Sequence, residues 1–92
     1  MTSETLPRLT LLSRAWCHLC DDMRNALAPL AAKQPFELEI VDVDGDAELE
    51  RRYGEDIPVL LAGETELCRH RLDAVRVAEY LANPGRTPAP KG

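Results

Sequence analysis

The sequence predicts an α/β domain built on a mixed four-stranded sheet, and three observations predict it. Leu9–Leu12 and Val59–Ala62 are short, nearly continuous apolar runs, the pattern of strands covered on both faces. Residues 18–33 carry apolar side chains at helical spacing between the first run and an alternating stretch at 36–40, so the first half requires a right-handed parallel crossover. Gly63–Glu64 makes a tight turn from Val59–Ala62 into Thr65–His70, so the second half requires an antiparallel hairpin. The predicted order is βαβαββα, with the two doubly covered strands central.

Each element follows from its own pattern. In the first helix, Leu19, Met23, Ala26, Leu27 and Leu30 fall on one face, while Pro29 removes the bond to the Asn25 carbonyl and predicts a kink or an early stop. Phe36, Leu38 and Ile40 alternate with Glu37 and Glu39, which describes an edge strand with one wet side. Asp46 is the expected N-cap of a short helix carrying Leu49 and Tyr53, with Gly54 as its stop. Leu72, Val75, Ala78 (or Val77) and Leu81 predict a last helix, capped by Asp73 or begun just before it. Residues 1–82 read as one domain. Residues 83–92, punctuated by Pro84, Gly85, Pro88 and Pro90, read as a disordered tail.

Composition excludes several function classes. The 92 residues are 45% hydrophobic and 29% charged, the balance of an ordinary globular chain. No apolar run approaches the roughly 20 residues of a membrane span, and Met1–Pro7, carrying Glu4, does not read as a secretory signal. Eleven basic against sixteen acidic side chains give a net charge of −5, and the one compact basic group is Arg69-His70-Arg71, so nucleic acid and membrane partners are not expected. The expectation is a cytoplasmic monomer. Three cysteines, an odd number, argue against a secreted disulfide framework.

The chemistry concentrates at Cys17-His18-Leu19-Cys20, which follows the first strand by a short turn and opens the first helix. Unpaired amides and the helix dipole favour an anion there, so Cys17 should ionise more easily than a free thiol. Arg14 and His18 add positive or polarisable neighbours; Asp21 and Asp22 oppose them. Cys20, three positions on, lies on the same side of the helix, within reach of Cys17 but tucked behind it. That asymmetry supplies an attacking thiolate, Cys17, and a resolving thiol, Cys20. Ile57-Pro58, just before a buried strand, is either a simple strand-starting proline or a loop whose Ile57 backbone pairs with an extended substrate. Trp16 is either a lid over the sulfur or an exposed platform for a partner.

Competing readings rest on the same residues. Cys17, Cys20, Cys68 and His70 together would make a four-ligand zinc set, and a cluster shared between two copies is a further metal arrangement. Taken alone, Cys68 reads as a small half-buried side chain and His70 as an exposed one beside Arg69 and Arg71. Leu19, Met23 and Leu27 read as core. Asp42, Asp44 and Asp46 alternate like a calcium loop, but Ala47 and Tyr53 stand where glycine and glutamate are needed, so they read as strand-end polarity and a cap. A non-enzymatic module gripping a partner through Trp16, Pro58 and the basic cluster is the alternative to an enzyme.

Three segments carry a family resemblance: Leu11-Leu12-Ser13-Arg14-Ala15-Trp16-Cys17-His18-Leu19-Cys20, Val41-Asp42-Val43-Asp44, and Tyr53-Gly54-Glu55-Asp56-Ile57-Pro58-Val59-Leu60. The chain resembles the small glutaredoxin-like proteins of the thioredoxin fold. The resemblance implies a sheet ordered second strand, first, third, fourth, with helices on both faces. It implies a thiol–disulfide oxidoreductase in which Cys17 is the nucleophile, Cys20 resolves, Pro58 is cis and faces the disulfide, and Arg14 assists the thiolate and glutathione's carboxylate. No prosthetic group is implied; glutathione or a dithiol reductant would be the co-substrate, and protein or small-molecule disulfides the partners. The chain departs from well-studied glutaredoxins at His18-Leu19, at Asp56 and at Glu66-Leu67-Cys68-Arg69. Its Trp16 is instead similar to thioredoxins.

Overall fold

Residues 6–82 are described by the computed structural model, and the tail expected over 83–92 lies outside them. The elements are β1 (Arg8–Ser13), α1 (His18–Lys33), β2 (Glu37–Asp42), a 3-10 turn (Val43–Gly45), α2 (Ala47–Tyr53), β3 (Val59–Ala62), β4 (Thr65–Arg69) and α3 (Ala74–Ala82). The strands line up as β2-β1-β3-β4. β2 runs parallel to β1, from Arg8 opposite Glu37 to Ser13 opposite Asp42. β3 is antiparallel to both β1 and β4. Order, direction and connectivity agree with the expected mixed sheet.

Alternation along β1 divides the core in two. Leu9 and Leu11 join Met23 and Leu27 of α1, Leu60 and Ala62 of β3, and Val77 and Leu81 of α3. Leu12 points the other way, to Val43, Val59 and Leu61, with Leu49 and Tyr53 of α2 closing that side. Helices α1 and α3 therefore cover one face and α2 the other. Each fully buried leucine contributes about 1.5–3 kcal/mol through removal of its apolar surface from water.

Several sequence expectations need correction. Leu19 is 48% exposed, not core, because the buried stripe of α1 is Cys20, Met23 and Leu27, one position round the helix. Val75 is 69% exposed, since α3 buries Val77 and Leu81 instead. Pro29 neither ends α1 nor defines its last turn; the helix continues to Lys33, and the Gln34 N–H closes on the Leu30 carbonyl at 2.8 Å. Pro29 and Asn25 both face solvent, where water can satisfy the released carbonyl. Cys68 is fully buried rather than half-buried. A register shift between Leu60 and Leu61 leaves Leu67 as an extra residue in β4, so Leu67 and Cys68 enter the same apolar cluster in succession.

The caps are where the sequence puts them. Asp46 accepts from the Glu48 and Leu49 amides, and Asp73 from the Arg76 amide. Gly54 ends α2 in ordinary right-handed geometry (φ −54°); a β-carbon there would stand 2.5 Å from the Glu50 carbonyl oxygen, so close approach requires the glycine. No helix among the described residues is long and apolar enough to cross a membrane.

Sheet pairing determines where a site can form. Leu12 near the end of β1 pairs with Val59 at the start of β3, and Val59 pairs with Arg69 at the end of β4. The loops holding Arg14–Cys17, Asp56–Pro58 and His70–Asp73 therefore gather at one end of the sheet.

Candidate active site

At that end β1 hands the chain to α1 through Arg14, Ala15 and Trp16. Trp16 adopts a left-handed backbone (φ 63°), which costs a non-glycine residue of order 1 kcal/mol, and its side chain is 98% exposed. It thus projects into solvent and does not cover the sulfur as a lid. Cys17, in extended conformation, is the N-cap of α1, and its Sγ accepts the Cys20 N–H at 3.1 Å. A sulfur atom here occupies the capping position normally taken by an oxygen, where donors and helix dipole favour negative charge. The two sulfurs are at disulfide distance, 2.31 Å, with Cα atoms 5.2 Å apart. Cys17 is half-buried and Cys20 only 4% exposed, which is the asymmetry anticipated from their spacing.

Two depressions flank α1. A cleft of about 320 Å³ is lined by Ser13, Arg14, Trp16, Cys17, Cys20 and Asp42. A groove of about 360 Å³ runs on the other side between Leu19, Met23 and Ala26 of α1 and the turn His70, Arg71 and Leu72.

Ion pairs knit the surrounding loops. Arg14 Nη2 lies 3.2 Å from Asp44 Oδ1 and also pairs with Glu50. Arg69 donates from Nε and Nη2 to the Glu66 carboxylate, at 2.7 and 2.6 Å, and its Nη1 lies 2.9 Å from Asp56 Oδ2. The Glu66 hydrogen bonds, with a further contribution from Asp56, hold the Arg69 guanidinium charged far above its ordinary range despite some desolvation. His70 Nε2 is 4.0 Å from Asp56 Oδ1. The Arg71 amide closes on the Arg69 carbonyl at 2.7 Å across His70, whose φ of 68° makes this a positive-φ γ-turn, a rare and strained form. The His70 amide donates to the Pro58 carbonyl at 2.8 Å, and the Ile57–Pro58 peptide bond is cis.

The structure brings together most of the residues the sequence singled out. Arg14, Trp16, Cys17 and Cys20 share one cleft, and His18 sits exposed at the first position of α1. Sheet register sets Pro58 next to the end of β1, while Ile57 packs with the α2-side cluster. Arg14 Nη2 meets both Asp44 and Glu50, while its buried Nε has no hydrogen-bond partner. Cys68 and His70 do not join the cysteine pair. Among the described residues no three His, Cys, Asp or Glu side chains converge to hold a metal ion, and Cys68 is sealed in the core. The zinc arrangement therefore lacks its ligands. Sequence reasoning missed the pairing of Asp44 and Glu50 with Arg14, which joins positions 30 and 36 residues apart, and the turn at His70.

Fold and site together define a thioredoxin-fold protein with a cysteine pair at disulfide distance, and hence a redox-type role. Comparison with known proteins makes this specific. Residues 8–82 match the family model described as Glutaredoxin-like domain (DUF836), and the chain belongs to that family. The solution structure of a protein from Nitrosomonas europaea is 37% identical, superposes with a TM-score of 0.76, and covers 87% of this chain and 98% of its own. An uncharacterized protein of Mycobacterium tuberculosis is 30% identical over 81 residues, 83% of this chain and 84% of that protein. Thioredoxin 1 of Thermosipho africanus, 16% identical, shares the fold with a TM-score of 0.55 over 82% of this chain and 90% of its own.

Proposed function

We propose that the chain is a thiol–disulfide oxidoreductase in which Cys17 attacks and Cys20 resolves. The Cys17 thiolate attacks one sulfur of a substrate disulfide, forming a mixed disulfide and expelling the first substrate thiolate. Cys20 then loses its proton and attacks Cys17 Sγ, which expels the second substrate thiolate and closes the Cys17–Cys20 bond. Two electrons have passed to the substrate, whose two thiolates take up the proton released by Cys20 and a second from solvent, and glutathione or a dithiol restores the enzyme. No prosthetic group is required.

The observation that carries this reading is the capping hydrogen bond. Cys17 Sγ accepts the Cys20 amide at 3.1 Å at the first turn of α1, so an anion on that sulfur gains a donor and a dipole at once. Asp21 in the same turn works against it. In this reading Trp16 and the Ile57-Pro58 loop receive the substrate on either side of the sulfur, with the Ile57 backbone as the pairing edge. His18 assists the thiolate when protonated. Arg14 acts mainly by tying the β1–α1 loop to the 3-10 turn through Asp44 and to α2 through Glu50. A cytoplasmic monomer acting on protein or small-molecule disulfides completes the reading.

Alkylation at graded pH tests it. Cys17 in reduced protein is expected to react well below the free-thiol value of about 8.5, and exchange with a mixed-disulfide substrate is expected to disappear in Cys17→Ser. A Cys17 titrating like a free thiol, with no turnover, would leave only a partner-binding module.

A further inference from the structure

Among the described residues, three arginines around the cysteine pair are each paired with the chain's own carboxylates, and in the cleft wall only Arg14 Nε is left buried without a hydrogen-bond partner. Arg14, in the wall of the cleft, is held by Asp44 and Glu50. Arg24, in the same wall, pairs with Asp21 at 3.3 Å. Arg69, at the end of β4, is held by Glu66 and Asp56, and Asp56 also faces His70. The N-terminus of α3, just past the groove, takes the Asp73 carboxylate on the Arg76 amide at 3.1 Å. Arg71 shares its groove with Asp22. What the site offers instead is apolar: Trp16 stands almost wholly in water, with Leu19 half exposed one turn away.

We infer that this site takes its electrons from a protein dithiol and discriminates against glutathione. The inference rests on the exchange reading above and names its reductant. Glutathione carries two carboxylates and one ammonium group, so its recognition needs cations or amide donors that are free. Here Arg14 (through Nη2), Arg24 and Arg69 are each paired with a carboxylate tethered to the same fold, at an effective concentration that a free small molecule does not match. Displacing one would also leave that carboxylate beside the incoming anion. A protein dithiol has no such requirement; it can cover Trp16 and Leu19 with apolar surface. One reductant thiolate attacks Cys17 Sγ and breaks the Cys17–Cys20 bond, and Cys20 takes up a proton. The second reductant thiolate attacks the reductant sulfur of the mixed disulfide and releases Cys17 as thiolate. The reductant leaves as its disulfide, oxidised by two electrons.

The test measures second-order reduction of the oxidised full-length chain by three monothiols, each corrected for its thiolate fraction: anionic glutathione, neutral 2-mercaptoethanol and cationic cysteamine. A reduced protein with a C-x-x-C dithiol is the fourth reagent. Reduction is followed by acid quench, alkylation and mass. The expected result is glutathione about tenfold slower than cysteamine at low salt, with no saturation across the millimolar range and with the protein dithiol faster than all three. The gap should close in about 1 M salt, where the Debye length is about 3 Å. Asp44→Asn with Glu50→Gln, which releases Arg14, should raise the glutathione rate about threefold or more relative to 2-mercaptoethanol. Saturable reduction by glutathione, at a rate equal to or above that of cysteamine, would overturn this inference while leaving exchange intact. A Cys17–Cys20 bond inert to every reagent would remove the exchange reading and this inference with it.

Discussion

The two ends of the sheet solve the same backbone problem differently. At the far end, the β3–β4 hairpin needs a positive φ and uses Gly63, at 62° with open space around it. At the end that gathers the cysteine pair, two positions need a similar φ, and Trp16 (63°) and His70 (68°) occupy them. Glycine would relieve both at little local cost. Side chains are kept there despite the backbone penalty, and one of them is the most exposed large apolar group described. Strain of this kind collects where a side chain has a task, so the contrast separates a turn that only connects from turns that present something.

The sharpest way to test this separation uses the three cysteines. Cys17→Ser should reduce exchange to background while leaving urea unfolding nearly unchanged from that of the reduced protein, because a serine oxygen caps a helix at least as well as sulfur. Cys68→Ser should do the reverse, costing about 1 kcal/mol by replacing a buried sulfur in the apolar cluster with a smaller, more polar hydroxyl, with the exchange rate per folded molecule intact. If Cys68→Ser abolished exchange in protein shown to be folded, the core could not be separated from the site. Gly63→Ala should destabilise by roughly 1–2 kcal/mol through backbone conformation alone, since its new methyl meets nothing. Asp46→Ala, which removes the cap of α2 and loosens the helix that carries Glu50, should cost about 1 kcal/mol in thermal unfolding. The smallest effect runs the other way: Trp16→Gly and His70→Gly should each stabilise by up to about 1 kcal/mol while slowing exchange with a protein substrate. Unchanged exchange in both glycine variants would show the two ends of the sheet to be equivalent after all.

Much of the fold was legible because it rests on short-range patterns. Two unbroken apolar runs marked the central strands, and Asp46, Gly63 and Asp73 marked turns and caps where they stand. The errors came where one residue type carries two meanings. Cys20 was read for its chemistry, so its place in the buried stripe of α1 went to Leu19, one position away. In β4, period-two alternation does not register the extra residue that takes Cys68 fully inside. At the site, the pair and its exposed–buried asymmetry followed from helical spacing. The state of its cations did not, because Asp44, Glu50 and Asp56 reach Arg14 and Arg69 from distant elements once the sheet has formed; only Glu66, three residues before Arg69 on β4, is a near neighbour in sequence.

The outer rim of β2 has a consequence of its own. Among the described residues that strand is paired on one side only, and Ile40 stands half bare on it. Glu37, paired with Arg8, and Glu39 flank the approach, so a second molecule adding itself as a fifth strand would have to accommodate the Glu39 charge. Neutralising Glu39, which unlike Glu37 has no ion-pair partner among the described residues, is the substitution expected to raise most the tendency of this rim to pair with another strand, read as concentration-dependent association in light scattering.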